Sequence, residues 1–467
     1  MSSLAWEVLL IALVGFVPVL VAPLSRRSAA WLLIALIPLH QYHKSFFLTV
    51  QLAGQSLQWP TLSKDLAYLL LFVYTLTTWL LCDRRRLWQW CWRLSCVLIG
   101  LAGLSLAAGS GVGQTLMGLR LYVFWPAVGI LVGSLLLRDP HDTARLMRLL
   151  GLGCGVVAIV ALIQALFEPN FMVHPAMRQL WAGAVVDWFT YRDRLRGPFT
   201  SANTLGLFMA MGILCWAILC SRPVRDRGRD LAMSWFALPA CLAVLFLAES
   251  RTALFGCVVG LIALGARRGA GVTRRLAVGG AVGAGAALVF AVGLDSRFIG
   301  LLSNPRLIYW ATFLASTVAS PRALVLGQGL GSTGRYGVET QVAVDSADSL
   351  AGVVGGEGLF FVDSVYIRAL FELGVIGLVP LVWLVLRSIR LIRVRSTLPN
   401  VEWEANSRGA LLAFLLFASV LTETLLTYPW NVIGWALASA RGVGSGETQA
   451  RVPSVGPVER QKAIVVP

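Results

Sequence analysis

Apolar runs and arginine clusters alternate along this chain, and that alternation restricts it to a bundle of helices in a bilayer. The runs fall at residues 4–23, 29–48, 66–82, 91–108, 119–137, 149–167, 204–220, 231–248, 252–265, 276–294, 365–386 and 409–428, with a short thirteenth at 431–440. The clusters Arg26-Arg27, Arg84-Arg85-Arg86, Arg138 to Arg148, Arg222 to Arg229, Arg267 to Arg275 and Arg387 to Arg395 come after alternate runs. A membrane helix needs about 20 mostly apolar residues. Basic residues collect in the short cytoplasmic loops of membrane proteins. The pattern therefore predicts an all-α, polytopic membrane protein of about 12–13 transmembrane helices. The arginine loops are expected inside, and the loops at 168–203 and 295–364 outside.

Composition agrees. Hydrophobic residues make up 57% of the 467 and charged residues 13%, against about 25% charged in soluble domains. That excludes an ordinary soluble enzyme and a disordered chain. The net charge of +16 would suit a nucleic-acid partner, but the basic residues sit in short runs between apolar segments. Membrane orientation accounts for them, and no nucleic acid is expected. Met1–Leu24 has no basic stretch before its apolar core and is followed by Ser25-Arg26-Arg27. That order predicts a retained membrane segment rather than a cleaved signal. The eight cysteines lie in or beside apolar runs with no C-x-x-C pair, which predicts buried small hydrophobes.

Four regions result: N-terminal transmembrane helices at 1–294, a large outward loop at 295–364, C-terminal transmembrane helices at 365–440, and a tail at 441–467 expected to be disordered. The large loop has structure of its own. Asn304-Pro305 reads as a helix start, and Leu307, Trp310, Leu314 and Val318 recur at helical spacing. Ser320-Pro321 ends the run. Such a helix would lie along the membrane surface. Ala323–Leu326 has the look of a strand, and Gly329-Leu330-Gly331-Ser332-Thr333-Gly334 fits a G-x-G-x-x-G template. A dinucleotide site needs a strand-helix-strand unit around that template, so a tight turn is the expected role. Acidic residues follow: Glu339, Asp345, Asp348, Glu357 and Asp363. There is no Walker A sequence and no H-E-x-x-H, and no cofactor and no metal are expected.

The informative polar residues are arginines at the outward ends of helices. Arg192, Arg194 and Arg196 precede Gly197-Pro198-Phe199, directly before an apolar run. Glu249-Ser250-Arg251-Thr252 separates two apolar runs with almost no loop, so Arg251 belongs at the bilayer boundary. Arg120 lies inside an apolar run, in Gly118-Leu119-Arg120-Leu121-Tyr122. An arginine within a bilayer needs a partner or an aqueous cavity. One reading pairs Arg251 with Glu249 or lets it reach the interface. The other is an anion clamp, because planar guanidinium groups grip phosphate oxygens in bidentate fashion. Asp363 has two readings as well, the N-cap of the next helix or a general base.

The order of these pieces resembles the O-antigen ligase and polymerase family of bacterial envelope glycosyltransferases. The resembling stretches are Arg194-Leu195-Arg196-Gly197-Pro198-Phe199 with Asn203-Thr204-Leu205-Gly206, then Glu249-Ser250-Arg251-Thr252-Ala253-Leu254. Arg306-Leu307-Ile308-Tyr309-Trp310, Leu326-Gly327-Gln328-Gly329-Leu330-Gly331, and Asp363-Ser364-Val365-Tyr366-Ile367 with Glu372-Leu373-Gly374-Val375-Ile376-Gly377 follow. The resemblance implies a metal-independent glycosyltransferase of the bacterial inner membrane whose active site faces the periplasm, and in-line displacement would make it inverting. It implies a glycan on undecaprenyl diphosphate as donor. Arg196 and Arg251 would bind the diphosphate, Arg120 and Arg306 are further candidates for it, and the base that the chemistry needs would be Asp363 or Glu357. A flippase or a chain-length regulator are the implied protein partners. Ligases of this family carry a histidine in the large loop. Residues 295–364 contain none, which favours a polymerase of O-antigen or exopolysaccharide over a ligase acting on lipid A-core. A transporter of lipid-linked oligosaccharide is the remaining alternative, though it would need no long outer loop.

Overall fold

The computed structural model describes residues 17–18, 20–37, 59–82, 84–137, 140–167, 195, 197, 199, 202–222, 228–265, 310–311, 314–315, 317–332, 364–394, 399–422, 425 and 429–439. Among them every regular element is a helix. These are α1 (Arg26–Ala35), α2 (Trp59–Cys82), α3 (Arg84–Ala107), α4 (Val112–Leu119), a π-turn (Arg120–Phe124), α5 (Trp125–Leu136), α6 (Pro140–Leu166) and α7 (Ala202–Cys220). Then come α8 (Gly228–Leu247), α9 (Arg251–Gly265), α10 (Pro321–Leu326), α11 (Val365–Ile392), α12 (Pro399–Leu421) and α13 (Trp430–Ser439). Six described spans are long and apolar enough to cross a membrane, and Leu66–Cys82 and Arg251–Gly265 are shorter apolar helices. The chain is an all-α, multi-pass membrane protein. The run at 276–294, the acid-rich stretch and the tail lie outside the described residues.

Its outward surfaces are those of a lipid-solvated bundle. Trp88, Trp92 and Ile99 on α3, and Val375, Val379, Val382 and Leu386 on α11, are all exposed. Such apolar stripes would be covered in a water-soluble protein. The core forms around α7, which packs against α6, α8 and α9, while α12 packs on α9 and α11. Close approach rests on small residues, the usual solution where lipid removes the hydrophobic drive between helices. Gly129 and Gly133 on α5 lie against Val432 and Ala436 of α13. Gly256 and Gly260 on α9 meet Phe414 of α12.

Polar contacts gather the arginine-bearing helix ends at one face. Arg27 at the start of α1 bonds Asp142 at the start of α6. Arg148 donates Nε and Nη2 to Asp230 of α8 at 2.6 and 3.0 Å. Arg222 at the end of α7 reaches the same carboxylate at 3.3 Å and lies over the Trp403 ring. Thr143 donates to Glu404 of α12 at 2.9 Å, and Arg387 Nε donates to the Ala438 carbonyl at the end of α13 at 2.9 Å. Four of the six clusters predicted to share a side therefore meet there, and Arg267–Arg275 lies outside the described residues. Asp230 is fully buried, so Asp230→Ala strands two guanidinium groups. Breaking a buried pair costs about 3–5 kcal/mol. Because Arg148 is 39% exposed, the lower end, about 3 kcal/mol, is the expected loss in a denaturation series in detergent. Unchanged stability would show that the cluster is only a surface feature.

Several expectations are corrected. Helices run past their apolar segments at the basic face: α3 begins at Arg84, α6 at Pro140, α8 at Gly228, and α11 continues to Ile392. Arginine is a good helix former, and the ion pairs above hold the starts of α6 and α8, so charge does not stop the helix. Ala323–Leu326 is helical, not extended. Ser320 does close the preceding helical residues, but it also N-caps α10, accepting from the Ala323 N–H, with Pro321 in the first turn. Cys154, Cys215, Cys241 and Cys257 are buried as expected, whereas Cys82 and Cys96 are exposed.

Candidate functional site

The face opposite the basic one holds the described part of the predicted site. Three residues join α8 to α9, a turn so short that Glu249 takes φ 48°. That left-handed conformation costs a non-glycine residue about 1–2 kcal/mol, and such strain tends to collect at functional sites. The Ser250 carbonyl accepts from the Leu254 N–H at 2.9 Å, which puts Ser250 in the N-cap position of α9. A serine there normally accepts a backbone N–H through its hydroxyl. This one does not: its Oγ is buried, has no hydrogen-bond partner, and the side chain packs against Gly206 of α7. The first turn of α9 is thus left uncapped by Ser250, and it opens with exposed Arg251. A cation at a helix N-terminus opposes the helix dipole by about 0.3–1 kcal/mol. An anion bound there would counter that charge and accept from the first-turn N–H groups.

The segment before α7 docks on this turn. Leu195 N–H donates to the Leu247 carbonyl at 3.0 Å. Gly197, at φ 60°, lies close to Leu205 and Ala161. Phe199 is buried against Phe208, and Phe208 against Trp430 of α13. Arg196 itself lies outside the described residues.

Arg120 lies deeper, roughly 12 Å along the helix from Val112 at 1.5 Å per residue. It opens the π-turn, in which the Trp125 N–H bonds back to the Arg120 carbonyl. In that register the donor due to the Leu121 carbonyl is residue 126, a proline without an N–H. Asn431 Nδ2 of α13 fills the gap, donating to Leu121 O at 3.1 Å. The bulge is therefore built into the fold, and π-turns recur at functional sites. The Arg120 guanidinium sits 5.7 Å from the centre of the buried Trp125 ring, within cation–π range.

A pair that sequence reasoning did not select lies on α11. Arg368 Nε donates to Glu372 Oε1 at 2.9 Å, and both are buried. An arginine and a glutamate four apart in an apolar run were the available signal. The helix breaks two residues later, at Gly374 (φ 62°, ψ −155°). Carbonyls freed by the break accept from the loop after α10: Gln328 N–H donates to Phe371 O at 2.8 Å and Gly329 N–H to Glu372 O at 2.9 Å. Leu330 N–H donates to Ser105 Oγ at 2.9 Å, which itself bonds the Thr115 hydroxyl at 3.0 Å. Gly327, Gly329 and Gly331 all have positive φ, and a Cβ on any of them would run into Glu372, Ser110 or Gln114. The described part of the glycine template, through Ser332, is a seam joining α3 and α4 to α11.

Of the predicted site residues, Arg251 and Arg120 both lie toward this face. Arg196, Arg306, Glu357 and Asp363 lie outside the described residues. The N-cap position of α11 belongs to Ser364, whose side chain makes no capping hydrogen bond, and both readings of Asp363 fall outside the described residues. Among the described residues no three His, Cys, Asp or Glu side chains form a metal-binding group. Comparison of the chain with protein-family models and with curated proteins gave no match.

Proposed function

We propose that this protein is a membrane glycosyltransferase that polymerises O-antigen or exopolysaccharide repeat units at the periplasmic face of the bacterial inner membrane. The observation that carries this reading is the start of α9: Arg251 on a helix N-terminus that Ser250 leaves uncapped, opposite the arginine-rich face. An anion suits such a helix start, and a diphosphate on a polyprenyl chain has the charge and the membrane anchorage to occupy it. The resemblance of residues 194–206 and 249–254 to polymerases and ligases supports the same reading, as does the docking of Leu195 onto the α8–α9 turn.

The acceptor hydroxyl oxygen attacks the anomeric carbon of the donor glycan. Its proton passes to Asp363 or Glu357. The bond from the anomeric carbon to the phosphate oxygen breaks, inverting that centre. Undecaprenyl diphosphate departs, and Arg251 and Arg196 neutralise the charge gathering on it, with Arg120 and Arg306 as further candidates for the same role. The absence of histidine from residues 295–364 favours a lipid-linked glycan as acceptor.

Purified protein in proteoliposomes with a lipid-linked repeat unit tests the reading. The expected result is conversion of single units into a ladder of longer lipid-linked chains, with release of undecaprenyl diphosphate. Translocation of unchanged units would identify a transporter, and transfer only to added lipid A-core would identify a ligase.

A further inference from the structure

A cavity of about 660 Å³ opens at the basic face, between α1, α2, α3, α5 and α13. Arg26 and Arg93 line it, and among the described residues no acidic side chain does. The surrounding arginines are engaged: Arg27 with Asp142, Arg148 and Arg222 with Asp230, and Arg145 over the Trp31 ring. Arg26 and Arg93 make no ion pair with any described residue. Two like charges in one hollow repel, and an anion between them removes that cost.

The hydroxyls on the wall are already committed. Thr75, Thr78 and Ser134 donate to the carbonyls of Leu71, Tyr74 and Leu131 at 2.8, 2.9 and 2.7 Å. The donors left facing the hollow are the two guanidinium groups, the Gln89 amide and the indoles of Trp79 and Trp90. These indole rings lie 5.7 Å apart, and tryptophan favours the headgroup level of a bilayer. One wall is the α2–α3 hairpin, whose outward side is apolar and exposed at Leu81, Trp88 and Trp92. That side is solvated by lipid.

We infer that this cavity binds the phosphate of an anionic phospholipid from the leaflet on the arginine-rich side, held by Arg26, Arg93 and Gln89. The chemistry is that of any phosphate. The tryptophans and the lipid-facing hairpin identify a headgroup as the source. The site is separate from the proposed glycan site, and its test does not depend on glycosyl transfer.

Native mass spectrometry of the full-length protein in detergent tests it with three probes: dioleoylphosphatidylglycerol, dioleoylphosphatidylcholine and inorganic phosphate. Phosphatidylglycerol is expected to bind with phosphatidylcholine at least about tenfold weaker, and Arg26→Gln with Arg93→Gln is expected to weaken phosphatidylglycerol by about tenfold. Arg85→Gln, exposed on α3 and outside the cavity wall, is expected to leave binding unchanged. Should the double variant not fold, Arg93→Gln alone, at an exposed side chain, carries the comparison. Equal binding of the two lipids, or an equal loss in Arg85→Gln, would overturn the inference. Inorganic phosphate binding as tightly as the lipid would assign the cavity to a soluble anion and overturn the headgroup source.

Discussion

Replacing Arg251 with alanine is expected to leave a folded protein whose conversion of lipid-linked units falls about 100- to 1,000-fold, the usual effect of removing one preorganised group that meets developing charge. Arg251 is exposed at the first position of α9, and substitutions at exposed sites usually change stability within about 0.5 kcal/mol. The loss should therefore appear in turnover and not in the thermal midpoint. Arg251→Lys should recover part of the activity, because an ammonium keeps the charge and loses the planar two-pronged contact. Wild-type turnover in the alanine variant, measured on monodisperse protein, would remove the clamp.

Gly374→Ala should have the largest effect on folding. The position has φ 62° and ψ −155°, a region essentially restricted to glycine. A Cβ there would collide with the backbone of Val325 and Leu324, atoms that cannot swing aside as a side-chain tip can. Strain and overpacking together are expected to cost about 3–5 kcal/mol. The damage should spread, since the kink at Gly374 frees the carbonyls that hold Gln328 and Gly329. Size-exclusion chromatography of the variant should find aggregated or poorly recovered protein. A monodisperse variant with the wild-type thermal midpoint would mean that the seam between α10 and α11 is not structural.

The grouping of four arginine-bearing helix ends at one face was legible because the cost of moving arginine through a bilayer is written directly into residue order. The ion pairs among Arg27, Asp142, Arg148, Asp230 and Arg222 bring together clusters that the alternation had already assigned to one side. Helix limits were less legible, because a hydropathy run ends where lipid ends, while the α3 and α6 backbones continue through Arg84 and His141. The close contacts of Gly129-x-x-x-Gly133 and Gly256-x-x-x-Gly260 were readable as small-residue motifs. The break at Gly374 was not. Gly374 and Gly377 look like another such motif, yet Gly374 sits against the α10 backbone, a partner distant in sequence. Ser250 was not legible either: a serine at an N-cap position normally caps, yet this hydroxyl is buried against Gly206 without a hydrogen-bond partner.

The arginine-bearing start of α9, which the Ser250 hydroxyl does not cap, is proposed to hold a polyprenyl diphosphate. Titration of undecaprenyl diphosphate into purified wild-type and Arg251→Ala protein in detergent tests it most directly. A charge-assisted contact of about 1.5–3 kcal/mol predicts binding weaker by roughly 10- to 100-fold in the variant. Equal affinity in the two proteins would contradict the claim.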